Sequence, residues 1–243
     1  TASGAMNFIL YPEDIKSGDR NRVGGKGYAL SLLVKNGFRI PRTVCITCDV
    51  YHEFVLRTGL RERILLELHR KDFKEMRWEE IWDCATRIRN MFLTKPLPED
   101  LAQDIRNGIS DRFHGTTAAV RSSAPEEDDV QSSFAGLHES FINVVGTESI
   151  LEHVRLVWAS LWSDAALLYR RELGLDPARS RMAVLVQEMV DADPSGVAFA
   201  RDPRDTRKEH AVIEAVPGAC SLLVDGLVDP DHWELDRRTH AII

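Results

Sequence analysis

The sequence predicts an α+β fold, and three features carry that prediction. Short apolar runs of strand type recur at residues 43–47, 118–120, 139–144 and 182–190. Between the first two, residues 49–113 carry a long amphipathic pattern of helical period. Clusters of glycine, serine and proline punctuate the rest. With 243 residues, 44% apolar and 28% charged, the chain can bury a large core and has the composition of an ordinary globular protein. A formal charge of −7 argues against a nucleic-acid binder held by backbone charge. No apolar run is long enough to span a bilayer, and the start lacks the basic-then-apolar order of a signal peptide, so a cytoplasmic location is expected. Thr1 to Ala5 read as a remnant of an expression vector and are set aside.

Along the chain, Val23-Gly24-Gly25-Lys26-Gly27 leads into a helix on which Ala29, Leu32 and Leu33 share a face, with Gly37 at the C-terminal cap. Lys26 then stands at a helix N-terminus, where exposed N–H groups and the dipole already favour an anion. The segment is not a Walker A loop, because Gly27 stands where Ser or Thr should hold magnesium. Ile40-Pro41 precedes a buried strand containing Cys45-Ile46-Thr47-Cys48, with His52 four residues on. A C-x-x-C without a second pair is read as packing rather than zinc, so no metal ligand is assigned. Asp49 is expected to cap a helix reaching Thr58 and stopped by Gly59, followed by helices over 60–70 and 78–93. Pro98 fits the first turn of another, with Leu101, Ile105 and Ile109 on one face. No catalytic residue is expected over 49–113.

The most informative segment is Ala118-Ala119-Val120-Arg121-Ser122-Ser123-Ala124-Pro125-Glu126-Glu127-Asp128, followed by Ser133-Phe134-Ala135-Gly136. A short strand delivers an arginine and two hydroxyls into a loop, and a small-residue loop follows, which suits a polyphosphate cradle. Arginine offers a rigid fork of donors, and Gly136 lets main-chain N–H groups approach an anion. A strand over 139–144 comes next, then a long helix with a Ser149/Glu152 capping box and one apolar face from Leu151 through Trp158 and Trp162 to Tyr169. Arg170 and Arg171 are read as complements to its C-terminus. The runs 182–190 and 197–200, separated by Pro194-Ser195-Gly196, read as a β-hairpin.

Taken together, these motifs resemble the nucleotide-binding domain of the phosphoenolpyruvate synthase and pyruvate phosphate dikinase family. There the order is G-G-K-G, an apolar helix, a V-P turn and a strand, then R-S-S-A-x-x-E-D, S-F-A-G, V-Q-x-M and G-V-x-F-x-x-D-P. The resemblance covers about Gly24 to about Asp236. It implies an ATP-grasp-like domain of two lobes, the first over 6–200 with a helical insertion at about 49–113, the second over 201–243 and incomplete. It implies ATP as ligand, with Lys26 and Arg121 on the phosphates, Arg121 acting in catalysis, and Gly136 in the loop that closes over them. Ser140 falls on a motif hydroxyl, Gln187 and Glu188 on the adenine-side strand, and Glu214 on the glutamate of the family's later I-E-A-S-W-G-L-G-E. Magnesium ligands are expected beyond the end of this chain. The function implied is phosphoryl transfer from Mg·ATP to a histidine on a separate domain of the same protein and then to pyruvate or another acceptor, with the fragment alone inactive. A non-catalytic nucleotide-sensing or docking module is the alternative. Its support lies in Pro217 and Ser221, which replace the tryptophan and last glutamate of I-E-A-S-W-G-L-G-E. Pro230-Asp231-His232 fits the family, while Thr239-x-x-x-Ile243, although similar to a phosphohistidine setting around His240, is read as a turn.

Overall fold

The computed structural model describes residues 7–113, 115–125, 136–205 and 207–243. The vector-remnant segment and the motif positions Glu126 to Ala135 lie outside the described residues. The chain divides into two compact units, the first ending at Met189 and the second running Val190–Ile243.

The first unit is built on an antiparallel sheet of order β1-β2-β5-β3-β4. In chain order it comprises β1 (Ile9–Leu10), α1 (Arg20–Lys35), β2 (Thr43–Ile46), α2 (Cys48–Arg57), α3 (Leu60–Leu68), α4 (Trp78–Thr94) and α5 (Glu99–Phe113). It continues with β3 (Thr117–Ser123), β4 (Ser140–Val145), α6 (Thr147–Ser160), α7 (Asp164–Glu172) and β5 (Ala183–Glu188). The second unit has an antiparallel sheet of β6 (Pro194–Phe199), β7 (His210–Pro217) and β8 (Asp231–Asp236), with the short α8 (Ser221–Val224) between the last two.

Strand alternation divides the first unit's core between the two sheet faces. Val44, Ile46, Ala118, Val120, Val184 and Val186 join a cluster with Phe54, Ile88, Phe92 and Trp158 from the helices. Phe54 stacks on Trp158 at 5.3 Å between centroids, and Trp162 Nε1 donates to Tyr51 Oη at 3.1 Å. The opposite face packs Cys45, Ala183 and Leu185 with Val23, Cys48, Tyr28 and Leu30. Leu101, Ile105 and Ile109 are buried together, as their spacing predicts.

Several expectations need correction. The runs 182–190 and 197–200 form no hairpin. Both edges of β5 are taken by β2 and β3, while Pro194-Ser195-Gly196 is strand and pairs with β7 in the other unit. The long helix breaks at residues 161–163, where the Ser163 side chain accepts from Ala166 N–H and restarts the chain as α7. Ser149 forms no capping box, since α6 already begins at Thr147 after Gly146. Asp49 lies inside α2, whose N-cap is Thr47, and it receives Arg22 Nε at 2.7 Å. On α1, Ala29, Leu32 and Leu33 are exposed, and the face turned to the sheet is Val23, Gly27 and Ser31. Small residues let the helix lie close to the strands, so apolar size misidentified the buried stripe. The glycine segment lies inside α1: an initial turn from Arg20 ends at the non-helical Gly24 (φ 70°, ψ 175°), which precedes the main helix as expected and leaves Lys26 in its first turn, while Gly25 and Gly27 are already helical.

A Cβ at Gly24 would lie 2.1 Å from Ser123 O, in a backbone region reserved almost wholly for glycine. Gly37 also has positive φ but opens onto space. Gly24→Ala should therefore cost about 3 kcal/mol or more, against about 1 kcal/mol for Gly37→Ala. Urea denaturation of the two variants checks this, and equal losses would remove the clash from the explanation.

Candidate functional site

The site grows from the contact between α1 and the end of β3. Ser122 and Ser123 do not enter a loop; they are the last residues of β3 and both are buried. Ser123 Oγ donates to Val23 O at 2.7 Å and accepts from Gly27 N–H at 3.1 Å, so its hydroxyl is spent on the glycine segment. Lys26 Nζ reaches the same strand, donating to Ser122 O at 3.2 Å and Ser122 Oγ at 3.4 Å. The two motifs, 96 residues apart in sequence at Lys26 and Ser122, are thus one structure.

Arg121 lies half-buried on β3, opposite Leu185 of β5 and Ser140 of β4. Its Nη1 donates to Gln187 Oε1 at 3.2 Å, Gln187 Nε2 donates to Thr43 Oγ1 at 3.0 Å, and Thr43 Oγ1 donates to Pro41 O at 2.8 Å. Partners at each step orient the guanidinium and amide, which fits a surface that must present donors in one geometry. Lys26, Arg121, Ser140 and Gln187 are accordingly brought together around β3 and its neighbours.

Other expected residues lie apart. Glu188 follows Gln187 on β5 and so points to the opposite face, where Arg42 holds its carboxylate through two contacts, Nε at 2.9 Å and Nη2 at 2.5 Å. That hydrogen bond keeps the carboxyl below its usual range. Gly136 is exposed with φ 76°, in open space, at the edge of the described residues. Glu214 belongs to the second unit, on β7, where His232 Nδ1 of β8 lies 3.2 Å from its Oε1. Pro217 ends β7, Gly218 N–H donates to Asp193 O at 2.6 Å, and Ser221 opens α8. His240 occupies a turn in which Asp236 accepts from Arg238 and Thr239 N–H groups.

Sequence reading passed over His138. Both its ring nitrogens are buried, and burial, with the charges of Arg170 and Lys26, pushes its pKa down to about 3. Only its place between two motifs could have drawn notice. Arg170, expected near a helix terminus, is wholly buried and donates to Leu161 O at 2.8 Å. Cys45 and Cys48 are buried in the cluster under α1, and burial raises the Cys45 thiol pKa.

Helices packed on antiparallel sheets, with a kinked glycine helix bound to the strand that carries Arg121, are consistent with a nucleotide-binding domain of ATP-grasp-like type. The chain matches the family described as Pyruvate phosphate dikinase, AMP/ATP-binding domain, over residues 20–243, and it belongs to that family. It is 37% identical over 238 residues to the rifampicin phosphotransferase of Streptomyces sviceus, covering 96% of this chain and 27% of that protein. It is 34% identical to the phosphoenolpyruvate synthase of Aeropyrum pernix (97% and 29% covered) and 30% identical to a probable phosphoenolpyruvate synthase of Methanocaldococcus jannaschii (100% and 21%). The chain thus spans between a fifth and a third of the length of these relatives. No helix among the described residues is long and apolar enough to cross a membrane.

Two tests follow. His138 stays neutral when folded but titrates near 6.5 when unfolded, so below that pH protons favour the unfolded chain. Its contribution is complete above pH 6.5 and falls as pH drops toward 3. Between pH 6.5 and 4.5, wild type should lose roughly 2–3 kcal/mol more than His138→Gln, by urea denaturation at each pH; parallel profiles would refute this. Of the four thiols, Cys220 alone is partly exposed, so a disulfide-exchange dye should titrate one fast thiol in the native chain and four after unfolding.

Proposed function

We propose that this chain is the ATP-binding part of an ATP-dependent phosphotransferase in which Lys26 and Arg121 bind the phosphates. The observation that carries the reading is the joining of the glycine helix, Lys26 and Ser122 beside the Arg121–Gln187–Thr43 relay. Lysine supplies a mobile point charge and arginine a planar fork, the two complementary ways of meeting phosphate oxygens. The donor set fits a polyphosphate on the α1 side of β3. Arg121 would neutralise charge on the transferring group, which is most of what a protein contributes to phosphoryl transfer. Ser140 and Gln187 would border the nucleotide, and Gly136 would lie in the covering loop, whereas Glu188, on the other face of β5, is committed to Arg42. Magnesium would supply further neutralisation. Among the described residues, no group of three or more His, Cys, Asp or Glu side chains is placed to hold a metal.

In this reading the phosphoryl group passes to a histidine on another domain and then to pyruvate or a different acceptor; the family and the names of the relatives support ATP-dependent phosphoryl transfer in general. A non-catalytic nucleotide-sensing or docking module is the second reading, favoured by Pro217 and Ser221. A serine at the start of α8 cannot replace a carboxylate's charge.

Lys26→Ala and Arg121→Ala, made in a protein extended to the relatives' length, should each weaken ATP binding at least about tenfold while leaving thermal stability nearly unchanged. Calorimetric titration with Mg·ATP checks this. Wild-type affinity and turnover in both variants would reject the assignment, and ATP binding without turnover in the unmutated protein would favour the sensing module.

A further inference from the structure

A cavity of about 630 Å³ lies in the first unit between α2, α3 and residues 178–181 before β5. None of the residues assigned above to the nucleotide lines it. Its walls carry Arg61, Arg179, Arg181 and His52, and no carboxylate among the described residues lines it. This is notable in a chain with 38 Asp and Glu against 31 Lys and Arg. Arg179 has Asp176 at 3.5 Å, whereas Arg61 and Arg181 have no ion-pair or hydrogen-bond partner among the described residues. Ser180, only 6% exposed, lines the same cavity, and its buried Oγ has no hydrogen-bond partner either. Buried hydroxyls are nearly always satisfied, so an unspent one on a cavity wall points to a ligand. Val55, Ile64 and Leu65 supply an apolar side, and the volume suits a small organic molecule.

We propose that this cavity is a second binding site, for a small phosphorylated organic compound. Its phosphate would meet Arg61, Arg181 and the Ser180 hydroxyl, and its apolar body would lie against Val55, Ile64 and Leu65. A phosphate is favoured over a lone carboxylate because two uncommitted guanidinium forks present more donors than one carboxylate can accept.

Phenyl phosphate is the probe, titrated calorimetrically into this chain beside inorganic phosphate. Wild type should bind phenyl phosphate saturably at one site outside the nucleotide residues, and several-fold more tightly than inorganic phosphate. Arg61→Ala combined with Arg181→Ala should weaken it about tenfold or more. Lys26→Ala combined with Arg121→Ala should leave that site unchanged. Ser180→Ala should weaken binding with no loss of melting temperature, because no internal hydrogen bond is removed. Absence of saturable binding would overturn the proposal, as would binding that survives loss of Arg61 and Arg181 or disappears with Lys26 and Arg121. Equal affinity for inorganic phosphate would overturn the organic part of the assignment.

Discussion

The rest of the structure depends on the close approach of the α1 kink to the end of β3. Ser123 holds Val23 and Gly27 through one hydroxyl, and the backbone at Gly24 lies so near Ser123 O that no side chain fits between them. Each hydrogen bond is worth only about 1 kcal/mol net, but a buried hydroxyl left without partners costs more than that. The contact is therefore favoured as a set rather than bond by bond. It fixes where the helix resumes after its kink, and hence where Lys26 stands. It also buries Val23 against Cys45 and Leu185, which ties the helix to the centre of the sheet.

From that anchor the sheet distributes chemistry by alternation. β5 is buried on both faces through Leu185 and Val186, and polarity enters at Gln187, just where the strand emerges from the core. Gln187 is held from β2 by Thr43, itself held by the carbonyl of Pro41, and in turn receives Arg121 from β3. The turn before β2 thereby helps to orient an arginine almost 80 residues later in the chain. Glu188, one residue on, falls to the other face and is committed to Arg42.

Much of this was legible beforehand. Strands β2 to β5 and the helical insertion follow from residue type and order, since each pattern is local and its members lie within a few residues. What could not be read was contact between distant segments. The serines of R-S-S-A look like ligands for phosphate until the helix that consumes Ser123 is placed beside them. Leu32 and Leu33 look like the buried face of α1 until a glycine stripe is seen to allow closer packing than leucines would. The supposed hairpin failed for the same reason, because adjacency in sequence says nothing about which edges of β5 other strands have already taken. His138 carries no motif of its own, and its neutral state arises from burial near Arg170 and Lys26, which come from two other elements.

The distribution of arginine adds a last step. Most arginines in this acidic chain are spent on carboxylates or carbonyls, as Arg22, Arg57, Arg87 and Arg106 are. Uncommitted cations are costly to keep near one another, since like charges repel unless something anionic visits them. Arg121, oriented by Gln187, and the cavity that Arg61 and Arg181 line lie at the two ends of one segment, residues 121–125. Arg121 opens it on the α1 side of the sheet, and Pro125 closes it at the wall of the cavity beside α2 and α3. Ser123, between them, is the residue anchored to α1. A segment pinned at its middle can carry an oriented arginine at one end and border a separate cavity at the other without either end disturbing the core.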